Sequence, residues 1–485
     1  MTAGSNAVGR TASQQESEIR LRNVVMKFGG TSVADADAVR RLMDIVRGEA
    51  ARTGPPVVVV SAMSKITDHL LKMAAEASRG ERGSIQAGVD EVRHRHLTAI
   101  DALVGYDKRP EVSAQIEAQI EELRAMLTAL AILREASPRS MDGIASAGEL
   151  LSSRLVAAAF KSAGVDAAWV DARRAVVTDD HYTAAVPDID ATHAALSREV
   201  VPHLSAGKIP VLGGYVGATK DGVATTLGRG GSDYSAALVG EGISASEIQI
   251  WTDVDGMLTA DPRVVANPRV VSHLSFGEAS ELAYFGAKVL HPSTILPAVA
   301  ADIPVRILNS RRPSAAGTII TARPPVSDRP ISALACKRNV TVVEVTSTRM
   351  LMAHGFLRRL FEVFERYRTA VDVVTTSEVS VSVTIDDNRH LDGIAEGLRE
   401  FAEVTIEPEM ALLCAVGENL RADPAFAIRM LAGLEGVPLR MVSQAASRRN
   451  VTVVIRDADI AAAMSRLHDA WFSEPRREPA VEAAR

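Results

Sequence analysis

Four consecutive valines, Val57 to Val60, stand between "PP" and "SAM". A strand with no polar member has no face to give to water, so it must be covered on both sides. Neighbouring stretches follow the same rule. "VVMKF" is a short apolar run, and the helix-period segment "ADAVRRLMDIVRGEA" separates it from the valines. "DAAWVDA", "KIPVLGGYVGA", "EIQIWTDV" and "IPVRILNS" are further short strands, with "SAGELLSSRLVAAAFKSAG" as a helix. Such alternation selects a parallel sheet with helices on both faces, an α/β sandwich. With 485 residues the chain exceeds one hydrophobic core, and about two to four domains are expected.

Residues 68–136 interrupt the alternation. "AGVDEVRHRHLTAIDALV" and "SAQIEAQIEELRAMLTALAILREA" are amphipathic helices and read as a helical insertion. A proline- and arginine-rich stretch, "RRPSAAGTIITARPPVSDRPIS", reads as a linker. After it the chain nearly repeats a β-α-β-β-α-β order twice, each copy about 70 residues long. The last strand of the second copy is missing or supplied from elsewhere. The expected divisions are a loose tail over 1–22, a catalytic domain over 23–312 and a linker over 313–332. Two small ferredoxin-like modules follow over 333–408 and 409–473, then a tail over 474–485.

Charge and composition remove several classes. A net charge of -6 disfavours a nucleic-acid binder. Cys336 and Cys414 lie far apart beside apolar runs and read as buried, reduced thiols. The histidines show no metal-ligand spacing, so no protein-caged metal is expected. The opening residues lack an apolar core, and no later run has the length of a membrane span. A cytoplasmic protein with no membrane partner is expected.

Four stretches carry chemistry. In "VVMKFGGTS", Lys27 closes a strand, and Gly29 and Gly30 allow close backbone approach to phosphate oxygens. An ordinary strand-turn with a solvated lysine fits the same letters. In "TTLGRGGSDYSAA", Ser232 or Asp233 suits a helix N-cap, and Arg229 suits a carboxylate or phosphate. Asp233 either holds a lysine or takes a substrate ammonium. In "IQIWTDVDGM", Thr252 and Asp253 end a strand where a base or ribose can be received, with Arg263 further on. In "FGEASELAYFGAKVLHPST", Lys288 falls near a helix end as a possible second phosphate-reaching cation, and His291 reads as structural. Glu149, in "ASAGELLSS", falls at the start of a helix.

Together "KFGGTS", "GATKDGVATTLGRGGSDYSAA", "WTDVDG" and "FGAKVLHPSTILPA" resemble the amino acid kinase superfamily, and within it the aspartate kinases. "GFLRRLFEVFERYRTAVDVVTTSEVSVSVTID" resembles the first of that family's paired ACT modules, in the style of the lysine-sensitive, single-polypeptide enzymes. The resemblance implies transfer of the ATP γ-phosphoryl group to the β-carboxylate of L-aspartate, opening lysine, threonine, methionine and diaminopimelate synthesis. It implies that Lys27 contacts the phosphoryl group, with Phe28, Gly29 and Gly30 in the phosphate cradle. Thr67 and Glu149 would serve the substrate, Glu149 at its ammonium, and Arg229 its α-carboxylate beside Gly230, Gly231 and Ser232. Asp233 would orient the ammonium or Lys27, while Thr252, Asp253, Arg263 and Lys288 serve ATP. Mg²⁺ would be held mainly by phosphate oxygens. Leu258 stands where related enzymes often carry tyrosine, which implies a modest change in ATP affinity.

For regulation, Met350, Gly355, Phe356, Leu357, Asp372, Ser377 and Glu378 match positions around the family's inhibitor site. Lysine is the first expected effector and threonine the second. Sites between paired ACT modules imply a homodimer or a dimer of dimers. The rivals are a superfamily kinase for glutamate, acetylglutamate or UMP, and an amino-acid sensor with a dead kinase domain.

Overall fold

The computed structural model describes residues 23–286, 290, 292–325, 329–350, 354–418, 420–444 and 447–473. Both expected tails, Lys288 and His291 lie outside them. The chain forms two compact units, one of residues up to 255 with 293–321, the other of 256–292 with 322–485. Among the described residues no helix is long and apolar enough to cross a membrane.

The first unit carries β1 (Val24–Phe28), β2 (Val57–Val60), β3 (Ala167–Val170), β4 (Val177–Thr178), β5 (Ile209–Gly213), β6 (Val216–Thr219), β7 (Ala224–Thr226) and β8 (Glu247–Thr252). β9 (His273–Ser275) belongs to the second unit, and β10 (Val305–Asn309) and β11 (Thr318–Thr321) to the first. In the order β3-β5-β2-β1-β8-β10 the strands run parallel, and β11 lies antiparallel against β10. β11 therefore falls inside the stretch expected as a linker. Its alternating "TIIT" is short, and proline and small residues on either side mask it as a strand.

The valine run is β2, and all of β1 and β2 is buried. Alternation along β1 separates two neighbours by face. Phe28 is fully buried and stacks on Trp251, with ring centroids 6.0 Å apart and an interplanar angle of 11°. Its side chain is core, which corrects the expectation that it serves the nucleotide. The preceding residue, Lys27, faces the opposite way.

The insertion is real and has its own apolar centre. The helices Ile66–Ser78, Gly83–Leu103 and Arg109–Leu133 pack Leu70, Val92, Ile116 and Leu123 together. The next helix runs Pro138–Ser162, far earlier than the sequence suggested. Ser137 caps it, accepting the Ser140 N–H at 3.2 Å, and Pro138 sits in the first turn, where a missing N–H costs nothing. Glu149 is thus mid-helix, not at a helix start as expected.

In the second unit β12 (Ala333–Thr346), β13 (Val374–Thr376), β14 (Ser380–Ile385), β15 (Glu403–Val416), β16 (Met441–Gln444) and β17 (Asn450–Arg456) form one sheet in the order β13-β14-β12-β15-β17-β16. Both repeats are present, but they share strands. The last half of β12 pairs with the first half of β15, and Ala333–Lys337 pairs with Leu412–Val416. The final strand of the second repeat is therefore the front of β12, contributed from before the first repeat. Two apolar clusters cover the sheet, one around Leu360, Phe364 and Leu398, the other around Phe426, Met464 and Leu467. Both cysteines are free, and burial pushes the Cys414 thiol up to about 12.

Phe28→Ala should cost about 3–5 kcal/mol in denaturant unfolding, the usual loss for a buried aromatic. KM for ATP in the folded variant should stay within about twofold, since the ring contacts only core. A large rise in that KM would return Phe28 to the nucleotide.

Candidate active site

The carboxyl ends of β1, β2, β5 and β8 open on one cavity of about 650 Å³, the edge where open α/β sheets bind ligands. Lys27, Gly29, Gly30, Thr67, Glu149, Arg229, Gly230, Gly231, Ser232, Asp233, Thr252 and Asp253 all line it. These positions span more than two hundred residues of chain, and the fold brings them together.

Lys27 is 8% exposed, and its Nζ lies 2.6 Å from Asp233 Oδ1. At that separation the ammonium and the carboxylate form a close, charge-assisted ion pair. Of the two roles open to Asp233, holding a lysine is the one this geometry displays. Beyond Lys27 the chain turns. The Gly29 N–H donates to the Trp251 carbonyl at 3.0 Å, so it is not free for phosphate as expected. Gly29 instead starts a short 3-10 turn, Gly30–Val33.

The second glycine run follows β7. Gly228 and Gly230 take φ of +73° and +72°, left-handed values that glycine adopts without strain. Gly230 is the N-cap of the Gly231–Gly242 helix, with no side-chain cap. Ser232 and Asp233, the expected caps, lie inside the first turn. The N–H groups of Gly231 and Asp233 bond back to Gly228 and Gly230 at 3.0 and 2.9 Å. The helix start still presents its positive end to the cavity, with Arg229 beside it. Gly231 also permits close packing, because a Cβ there would lie 2.6 Å from the Tyr215 ring.

Glu149 is 3% exposed, and burial pushes its carboxyl up to about 8. The Ala62 backbone, the Thr67 hydroxyl and the Lys27 charge oppose that rise without cancelling it. Its Oε2 has no hydrogen-bond partner, although the residue lines the cavity. A buried carboxyl with an open oxygen is ready for a cation, and it ionises when one arrives.

Several wall residues escaped the sequence reading. Ser61, Met63, Ser64 and Lys65 follow the valine strand directly, and Tyr215 follows β5. The strand-end rule that singled out Lys27 marks them equally well. Thr183 comes from a loop with no local signal. Other expected members are elsewhere. Arg263 belongs to the second unit, where its Nε is 3.0 Å from Asp261 Oδ1. The helix expected to reach Lys288 ends at Tyr284, and Gly286 follows at φ +122°.

The expected effector residues sit in the second unit. Gly355, at φ +84°, starts the Phe356–Arg366 helix; Phe356 is buried edge-on to Phe401, and Leu357 is 42% exposed. Met350 ends a 3-10 turn and packs on the same core. The Ser377 hydroxyl accepts the Ser380 N–H, and Glu378 is exposed. Asp372 is already engaged. Its carboxylate receives Lys337 Nζ at 2.9 Å and the Tyr284 hydroxyl at 2.8 Å.

A cavity of this kind, with cations and glycine turns at the edge of a parallel sheet, defines an α/β enzyme that brings anionic small molecules together. Comparison with known proteins gives the family. The amino acid kinase family profile matches residues 22–309, and an ACT domain profile matches 413–471. Lysine-sensitive aspartokinase 3 of Escherichia coli is 36% identical, covering 93% of this chain and 99% of its own. Aspartokinase of Schizosaccharomyces pombe is 32% identical, covering 92% of each chain. The crystal structure of E. coli aspartokinase III with aspartate and ADP (R-state) superposes with a TM-score of 0.78, over 93% of this chain and 100% of that one. Its complex with lysine and aspartate (T-state) gives 0.79 at the same coverage. The chain belongs to the amino acid kinase family, among its aspartokinases.

Gly231→Ala tests the packing at the glycine run. The added methyl must displace Tyr215 or the helix start, at a cost of about 1–3 kcal/mol in unfolding. Unchanged stability together with unchanged turnover would show that this approach is not required.

Proposed function

We propose that this chain transfers the γ-phosphoryl group of ATP to the β-carboxylate of L-aspartate, giving 4-phospho-L-aspartate and ADP, in the cavity at the carboxyl ends of β1 and β8. The observation that carries the assignment of residues is the Lys27–Asp233 pair, set in the same wall as Glu149 and Arg229. A volume of about 650 Å³ lies within the ~300–1,000 Å³ usual for small-molecule sites.

The acceptor is ionised at neutral pH, so no general base is needed. A β-carboxylate oxygen attacks the γ-phosphorus, and the bond from that phosphorus to the bridging oxygen of ADP breaks. The task is to align two anions and to offset charge in the transition state. Lys27 supplies the fixed cation, and Asp233 holds it in place. Glu149 takes the substrate ammonium at its open Oε2, with Thr67 beside it. Arg229 takes the α-carboxylate, near Gly230, Gly231 and Ser232. Gly29 and Gly30 shape the phosphate turn, and Thr252 and Asp253 serve the nucleotide. Mg²⁺, held mainly by phosphate oxygens, would offset further charge there. Among the described residues no cluster of three or more His, Cys, Asp or Glu offers a cage.

Regulation by lysine through the ACT modules is part of this reading, supported by likeness to a lysine-sensitive relative. A cationic effector drawn to Asp372 competes there with Lys337. A homodimer, with effector sites between ACT modules of paired chains, belongs to the same reading. So do a catalytic stretch over 23–312 and modules over 333–408 and 409–473, although residues 256–292 pack with the regulatory sheet.

A coupled ADP-release assay should show turnover with L-aspartate and little with L-glutamate or UMP; ADP release indifferent to aspartate overturns the assignment. Lys27→Ala should lower kcat at least about a hundredfold while the chain stays folded. The Glu149 carboxyl, held up near 8, is protonated in the free enzyme at neutral pH and must ionise to hold an ammonium. KM for aspartate should therefore fall as pH rises towards 8, by up to about tenfold per unit. Glu149→Gln should flatten that slope, and a slope that survives it would assign the titration to another group.

A further inference from the structure

Asp142 stands two turns before Glu149 on the Pro138–Ser162 helix, and it is 1% exposed. A buried carboxylate is costly unless its oxygens are satisfied. Here both are. Oδ1 accepts the Thr226 hydroxyl at 2.5 Å, and Oδ2 accepts the backbone N–H groups of Thr226 and Thr183 at 3.0 and 2.9 Å. Burial raises its pKa, and the three hydrogen bonds oppose the rise.

These bonds join three separate segments. The first is the helix that carries Glu149. The second is the loop holding Thr183, a cavity-wall residue at φ +71°. The third is the end of β7, since Thr226 is its last residue and Arg229 follows three positions later. The Thr183 loop in turn supports the glycine run, because a Cβ on Gly228 would lie 3.3 Å from the Thr183 carbonyl. Glu149 and Arg229 have no sequence proximity; Asp142 shares its helix with the first and is bonded to the backbone that leads into the second.

We propose that Asp142 is a positioning residue: it fixes the spacing between Glu149 and Arg229 and thereby sets the fit of the cavity to the ammonium and carboxylate of its amino-acid acceptor. The proposal rests on the reading that those two residues hold the acceptor. Asp142 does not line the cavity and touches no reactant, so its effect falls on acceptor binding. The nucleotide end, at Thr252 and Asp253, is reached through β8 and is not bonded to this carboxylate.

Kinetics on Asp142→Asn, Thr226→Val and Thr226→Ser test it. Thr226→Val removes the hydroxyl donor but keeps both backbone bonds, so it remains informative if Asp142→Asn does not fold; because that hydroxyl also bonds the cavity-wall Tyr215, Tyr215→Phe is the control and should leave KM for L-aspartate within about twofold. Thr226→Val should raise KM for L-aspartate about tenfold, with KM for ATP and kcat within about twofold. Thr226→Ser restores the hydroxyl and should return KM for aspartate to near the wild-type value. Equal changes in both KM values, or no recovery with serine, would overturn the positioning role. Arg229→Ala separates the two claims. If it leaves KM for aspartate unchanged, the acceptor reading fails; if it raises that KM while Thr226→Val does not, only the role of Asp142 fails.

Discussion

An ammonium kept almost dry at the end of a strand is the constraint on which the rest of the site depends. Lys27 leaves most of its hydration behind, and a lone charge so placed is strongly destabilising. Asp233 offsets this at 2.6 Å, which requires the first turn of one helix to stand against the end of β1. Gly214 and Gly231 accept that crowding, since a Cβ on Gly214 would lie 2.8 Å from Ser232. The positive charge is then held in place by its ion pair. A phosphoryl group passing by meets a fixed cation, and no side chain has to reorganise to present it.

The sheet and the chemistry were legible for the same reason. Continuous valines have only one comfortable setting, and residues at the carboxyl end of such strands face the ligand edge. That reasoning reached Lys27, Thr252 and the glycine runs directly. Glu149 took its role from family resemblance, because helix position alone left it ordinary, while Arg229 was marked as an anion-binding group by its place in the glycine run and owed only its particular partner, the α-carboxylate, to the resemblance. Phe28 was misplaced because adjacency in sequence hides the opposite facing of neighbours in a strand. The start of the Glu149 helix was missed because the signal, Ser137-Pro138, lies ahead of the apolar period. Asp142 was invisible, since its meaning lies in three hydrogen bonds to residues 41 and 84 positions away.

The regulatory half shows how a repeat can mislead about boundaries. Sequence similarity between copies places the border where the pattern restarts, near residue 409. Hydrogen bonding does not respect that border, because β12 and β15 each run through both repeats. The segment 256–292 adds a second departure. Its Phe276–Tyr284 helix is bound to the regulatory sheet through Glu281, which accepts from Ser447 at 2.7 Å and from Asn450 at 2.6 Å. Tyr284, in the same last turn of that helix, meets Asp372.

The shared strands carry a consequence for how such a chain can be divided. The second repeat takes its last strand from the front of β12, ahead of the first repeat, and β15 runs on from one repeat into the other, so the pair has the connectivity of a single knitted fabric. A protease nick or gene fusion placed at the apparent seam would cut β15 in two and part the second repeat from its last strand, the front of β12. The loops and helices of either repeat can be altered separately without breaking this ladder. The two long strands, and the eleven ladder positions between them, make one indivisible piece.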